Sequence, residues 1–219
     1  MKHILEKHRQ HWTRKQFMIS VIIGALFLAF SVTALNYAIG YTRTSQSNAV
    51  TDLILDNIPT FNVAWIVAYG PLALILLISA VTLMEPRRVP FVMKSFALLI
   101  LIRSAFITFT HLAPFPERSG LIHNALLDTL GINGSSDLFF SGHAAMPFLA
   151  ALIFWDNKKL RIMFLLISIF FAIVMLLGHL HYSIDIFAAF FITYTISHLC
   201  KKFFAKDYDL FHNGLKKTH

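Results

Sequence analysis

Two histidines and an aspartate are spaced to act together. In His181-Tyr182-Ser183-Ile184-Asp185 the imidazole and the carboxylate lie four residues apart, which on a helix stacks them on one face within hydrogen-bonding reach. A carboxylate so placed holds the imidazole in one tautomer and favours its protonated form, the orienting role that a nucleophile or base needs. Upstream, Ser141-Gly142-His143 sets a second histidine at the head of another apolar run. Glycine lets the backbone approach a ligand closely, and the free N–H groups of a helix start favour an anion such as phosphate. A histidine in that first turn is placed to protonate a leaving oxygen. Ionisable groups at the mouths of apolar helices usually have a task, and these point to phosphoryl or acyl chemistry at a bilayer surface. Singly, each has a blander reading, as an N-cap serine or a wetted interfacial histidine.

The elements that position them are membrane helices. Of the 219 residues 57% are apolar and only 14% charged, against about a quarter charged in soluble domains, and mean hydropathy is +0.65. The composition describes one all-α, polytopic membrane domain. The formal charge of +8 raises nucleic acid as a partner. The basic residues, however, fall in short segments between apolar runs, as in cytoplasmic loops near anionic lipid, so no nucleic acid is implied. A single cysteine, Cys200, excludes a disulfide framework and a cysteine metal cluster.

Six apolar runs read as spans, about Phe17–Ile39, Phe61–Leu83, Pro90–Thr110, Leu138–Trp155, Ile162–Leu177 and His181–Phe204; roughly 20 residues cross the hydrocarbon core. The first is too long for a signal-peptide core and reads as a retained span. Pro71 predicts a kink in the second rather than a break. Between spans, Val50, Leu53, Ile54 and Ile58 form a short amphipathic piece, and Leu121, Ile122, Ala125, Leu126 and Leu130 recur at the spacing of an interfacial helix. A turn at 131–136 follows it. His3, His8 and His11 share one face of a solvated juxtamembrane helix, which outweighs a metal site there, and His111 and His123 read as interfacial.

Residues 1–16 are then a cytoplasmic basic segment, 17–204 the six-helix catalytic domain and 205–219 a cytoplasmic basic tail. Sixteen of the 19 lysines and arginines fall in the N-terminus, the second and fourth loops and the tail, with Lys94 counted in the second loop. The first and third loops hold only Arg43 and Arg118. By the positive-inside rule both termini are cytoplasmic, and His143 and His181 share the opposite, non-cytoplasmic face.

Asp137-Leu138-Phe139-Phe140-Ser141-Gly142-His143 and His179-Leu180-His181-Tyr182-Ser183-Ile184-Asp185 resemble the two histidine motifs of the sphingomyelin synthase family. That family is a branch of the type 2 phosphatidic acid phosphatase superfamily. The stretch from Arg103 to Pro116 is similar to its arginine-to-LPxP segment, with Ala113 as an extra residue that displaces the prolines. The resemblance covers roughly residues 61–200. It implies a phosphatidic acid phosphatase type 2-like bundle of six transmembrane helices and a triad of His143, His181 and Asp185. In that family the triad moves a phospho-head group from a glycerophospholipid to a ceramide or diacylglycerol-like acceptor through a phosphohistidine. The resemblance makes His181 the nucleophile, Asp185 the support for its imidazolium, and His143 first the acid for the departing oxygen and then the base. Arg103 and the first N–H groups at Ser141 and Gly142 are candidates to bind the equatorial oxygens, and Asp137 and His179 are candidates for the head group. The scheme needs no metal and no cofactor; its partners are membrane lipids. Plain phosphatases of the superfamily carry an arginine where Met175 stands here, and a lysine-to-Arg-Pro motif that this chain lacks. Both differences favour the synthase-like branch.

Three readings compete: a head-group phosphotransferase, a lipid phosphate phosphatase that uses water as acceptor, and a metal-dependent membrane hydrolase with His143, His179, His181 and Asp185 as ligands. A transporter or scaffold would leave the matched placement of the triad unexplained. The orientation is directly testable. A cysteine placed at position 45 should label from outside the membrane and one at position 158 only after permeabilisation; the reverse pattern overturns it.

Overall fold

The computed structural model describes residues 2–122, 125–130 and 138–214. Its helices are α1 (Lys2–Trp12), α2 (Lys15–Thr44), α3 (Ala64–Leu83), α4 (Val89–Phe109), α5 (Ala125–Thr129), α6 (Gly142–Ile153), α7 (Lys158–Leu177), α8 (Ser183–Phe203) and α9 (Ala205–Asn213). One-turn 3-10 segments lie at Leu55–Asn57 and Pro86–Arg88, and there is no strand among the described residues.

Five helices, α2, α3, α4, α7 and α8, are long and apolar enough to cross a membrane. A helix satisfies its own backbone groups, which is what lets such segments sit in lipid; together they make a multi-pass membrane bundle. α3 continues through Pro71 without a break. α2 packs along α4, α6 packs against α7 and α8, and α3 touches α4 and α7 only sparsely.

At Leu138–Trp155, the expected fourth span, the helix is only the 12 residues Gly142–Ile153, about 18 Å of rise against a hydrocarbon core of about 30 Å. Phe139 and Phe140 take left-handed φ values of 75° and 69°, which ends regular helix on the N-terminal side. α6 is an inner helix: Ala144, Ala145, Leu149, Ala150 and Ala151 are fully buried, and small side chains let neighbouring helices approach closely. Ser168 Oγ on α7 donates to the Ala144 carbonyl at 2.8 Å. The start of α6 lies deep. Arg103 reaches it from six residues inside the end of α4, and Phe171 meets His143 from six residues inside the end of α7, about 9 Å below both helix ends.

At the opposite end the short helices lock the bundle. α1 docks on the α3–α4 turn through a Lys7–Glu85 ion pair and a 2.8 Å contact of His8 Nε2 with the Leu83 carbonyl. His11 is buried, so α1 is packed on that face rather than solvated. Arg87 Nη1 donates to the His212 carbonyl on α9 at 2.9 Å, and the Arg88 guanidinium lies over the rings of Phe154 and Phe211. Lys94, counted as a loop residue in the sequence, is buried inside α4. Its Nζ donates to Asp207 Oδ2 at 2.6 Å and to Ser20 Oγ at 2.7 Å, and Ser20 Oγ donates to Asp207 Oδ1 at 2.6 Å. One ion pair thus joins α2, α4 and α9.

The expected interfacial helix is reduced to the five residues of α5, with Leu127 fully buried and Asn36 Nδ2 donating to the Thr129 carbonyl at 2.8 Å. The turn at 131–136, His123, Lys216 and Lys217 lie outside the described residues. Removing one member of a buried ion pair strands the other charge. Asp207→Ala should therefore cost about 3–5 kcal/mol, and the double change Lys94→Met/Asp207→Leu much less. Thermal unfolding in detergent measures both; a single variant as stable as the parent would refute the buried pair.

Candidate active site

The turn between α7 and α8 carries the histidine–aspartate pair. α7 stops at Gly178, His179 takes a left-handed φ of 52°, and Tyr182 is the N-cap of α8. His181 therefore precedes the helix, and the stacking of two residues on one helical face is not what joins it to Asp185. Asp185 is in the first turn of α8, and its carboxylate folds back. Oδ2 accepts from Tyr182 N–H at 3.1 Å, capping the helix, and contacts His181 Nδ1 at 3.1 Å. His181 is 3% exposed and Asp185 0%. With a carboxylate on Nδ1, the ring holds its proton there and presents the Nε2 lone pair.

A second carboxylate steadies the same turn. Asp52 Oδ2 accepts from the Ser183 backbone N–H at 2.7 Å and from Ser183 Oγ at 2.8 Å. Its Oδ1 accepts from the N–H groups of Ile54 and Leu55 at 2.9 and 3.1 Å. Burial works against the charged form, but the hydrogen bonds from Leu55, Ser183 and Ile54 outweigh it and hold the Asp52 carboxyl below the usual carboxylate range. Tyr182 fixes the turn from the other side, its hydroxyl donating to the Ala113 carbonyl at 2.9 Å and accepting from Val50 N–H at 3.3 Å. Its ring packs with Leu55 and Leu138. An isolated aspartate in a polar loop has no periodicity to mark it, so Asp52 had no signal in the sequence.

The second motif is built around Arg103. The left-handed backbone at Phe139 and Phe140 aims the Phe140 carbonyl at the buried Arg103, whose Nε donates to it at 3.0 Å. A side chain at position 142 would bring its Cβ to 3.2 Å from that Nε, so glycine is what lets the guanidinium lie against the start of α6. His143 is half-buried, its ring packed near Phe171 with its Nε2 in a long 3.3 Å contact with the Val67 carbonyl. Gly70 leaves room for the Phe171 ring, since a Cβ there would meet it at 2.7 Å. Arg103, Gly142 and His143 line the inner end of an apolar cleft between α2, α3 and α4. The two motifs are joined by a backbone bond, Ser141 N–H to the Asp185 carbonyl at 3.3 Å.

His179 is held apart from the pair. Its Nδ1 lies 3.1 Å from Thr60 Oγ1, and because that hydroxyl donates to the Glu117 carbonyl, the ring nitrogen is the donor. Its ring stands perpendicular to that of Phe115, with the two centroids 5.1 Å apart. Among the described residues no three His, Cys, Asp or Glu side chains converge as metal ligands. Buried without a hydrogen-bond partner among those residues are Ser141 Oγ, His179 Nε2 and Asp185 Oδ1. Asp137 lies outside the described residues.

Residues 134–202 match the family model described as PAP2 superfamily C-terminal. The matched stretch, under a third of the chain, contains Ser141, Gly142, His143, His181 and Asp185; Asp52 and Arg103 lie before it. The match supports the type 2 phosphatidic acid phosphatase superfamily, whose members are typically enzymes acting on phospholipid-like substrates. No curated protein and no solved structure matches the chain.

The Asp52 clamp has a defined pH signature. Because its folded-state pKa is depressed, its stabilisation is complete above about 3.9, the value in an unfolded chain, and is lost as pH falls through the folded value. Asp52→Asn replaces one of the two carboxylate oxygens, each of which accepts two hydrogen bonds, with a donor and should cost about 1–2 kcal/mol. It should also flatten the acid limb of a stability profile followed by thermal unfolding in detergent. An unchanged acid limb would show that Asp52 carries no such charge.

Proposed function

We propose that the chain is a membrane-lipid head-group phosphotransferase of the sphingomyelin synthase type, with a glycerophospholipid as donor and a ceramide or diacylglycerol-like alcohol as acceptor. The observation that carries this reading is the buried His181–Asp185 pair, in which a carboxylate sits 3.1 Å from Nδ1 and leaves Nε2 as the nucleophilic atom.

His181 Nε2 attacks the phosphodiester phosphorus, and the bond to the diacylglycerol oxygen breaks. His143 gives that oxygen a proton, exchanging its long contact with the Val67 carbonyl for one to substrate. Asp185 balances the charge of the phosphorylated imidazolium. In the second displacement the acceptor hydroxyl attacks phosphorus, His143 takes its proton, and the phosphorus–nitrogen bond breaks, restoring neutral His181. The Arg103 guanidinium and the first N–H groups of α6, kept close by Gly142, supply donors for the equatorial oxygens. His179 and Asp137 flank the motifs as candidate head-group contacts. Residues 17–204 form the catalytic domain, both termini are cytoplasmic, and the site opens on the other face; the charge bias of the loops supports that orientation. With water as acceptor the same residues would make a lipid phosphatase, and the two are separated by their products.

The test is purified protein incubated with labelled phosphatidylcholine or phosphatidylethanolamine, with and without ceramide or diacylglycerol. Quenching short of acceptor should leave an acid-labile phospho-head-group adduct on His181 in the intact-protein mass. His181→Ala should abolish turnover and the adduct, and His143→Ala should slow turnover on the order of 10²–10⁴-fold. Release of the free phospho-head group with diacylglycerol, and no head-group transfer to the acceptor lipid, favours hydrolysis, and activity lost to a chelator and restored by zinc overturns the scheme.

A further inference from the structure

The cleft that ends at Arg103 is shaped for one part of a lipid. It has a volume of about 460 Å³ and is walled by Leu35, Leu74, Ile78, Val92, Phe96 and Leu99 among others. It exists because α2 lies along α4 while α3 stands away from both. α3 and α4 are joined by the short connection through Pro86–Arg88, so the space between them must close at that end. The floor there is Thr82 and Val89, both buried, with the exposed Ser79 and Leu83 on the rim. Thr82 Oγ1 is buried with no hydrogen-bond partner among the described residues, a polar floor beneath dry walls. At the other end stand Arg103, His143 and the start of α6.

We propose that this cleft seats one alkyl chain of the substrate lipid, with its phosphate against Arg103 and its methyl end at Thr82 and Val89, and that its closed floor makes the site select chain length. The inference rests on the proposed site and adds its chain specificity. Charge at one end and an apolar wall along the rest match an anionic amphiphile; a free phosphate would leave the walls unused. The length follows from the helices. Arg103 and Val89 are 14 residues apart on α4 and Pro71 and Leu83 are 12 apart on α3, which is about 18–21 Å of rise. An extended chain advances about 1.25 Å per atom, from bonds of about 1.5 Å at tetrahedral angles, so the cleft holds about 14–17 chain atoms; the glycerol and ester linkage to the phosphate takes about four, which leaves acyl chains of about 10–13 carbons. The volume fits a single chain, and a second chain remains on the open, lipid-facing side.

The experiment uses the full chain in mixed micelles with phospholipids whose chains run from 6 to 20 carbons. kcat/KM should rise to an optimum at about 10–13 carbons and fall beyond it. Val92→Trp narrows the cleft three residues above Val89, about 4.5 Å, and should move the optimum about four carbons shorter. A flat chain-length profile in an active protein overturns the inference and leaves the proposed function standing. Binding is read separately, with a lipid carrying a photoreactive diazirine at its chain end. Adducts should map to residues 79–92, and this outcome supports the chain seat even if no head-group transfer is found. Adducts on the outer faces of α7 or α8 instead overturn it.

Discussion

A single carboxylate oxygen ties the start of α8 to the ring of His181. Asp185 Oδ2 meets both the N–H that opens α8 and the ring nitrogen of His181. The first contact satisfies one of the four donors that a helix start leaves unpaired; the second sets the tautomer of the ring. Because one atom does both, α8 cannot begin elsewhere without releasing the imidazole. Asp52 repeats the arrangement one residue on, taking the Ser183 N–H and hydroxyl. Two carboxylates at one helix start would repel each other. They are tolerated because each is surrounded by oriented donors and lies at the positive end of the helix dipole.

The two turns that carry the histidines are also where the backbone is strained. Phe139, Phe140 and His179 are non-glycine residues with left-handed φ, each costing on the order of 1–3 kcal/mol and kept only where the surroundings over-determine it. Aromatic packing supplies that constraint. Phe106 lies against the rings of both Phe139 and Phe140, and Phe115 against those of His179 and Tyr182. What the strain achieves at Phe140 is visible in its carbonyl, which holds the buried Arg103.

Much of this was legible in the residues, though not always for the reason that made it so. Apolar runs mark the five long helices because a membrane demands continuous apolarity and an internally bonded backbone. The partnership of His181 with Asp185 was legible from its spacing, yet the contact is made by a helix cap rather than along a helical face, since three- and four-residue separations meet in both geometries. The true length of α6 was hidden because Phe139 and Phe140 are as apolar as the helix they interrupt; hydropathy does not record φ. Lys94 looked like a loop residue because its partner, Asp207, is 113 positions away, and Asp52 was invisible for the same reason, lying 131 positions from Ser183. Long-range polar pairing leaves no local pattern.

The depth of α6 carries one more consequence. A helix start bears about half a positive charge, and here it lies about 9 Å inside the ends of α4 and α7, walled by Phe171, Phe140 and the small side chains of its own first turns. Dissolved ions screen over about 8 Å at physiological strength, but they do so only where they can enter. Only its exposed side, at Gly142 and His143, is open to that screening; toward the buried Phe140 and Ser141 the pull of the helix start on an anion is set by the chain.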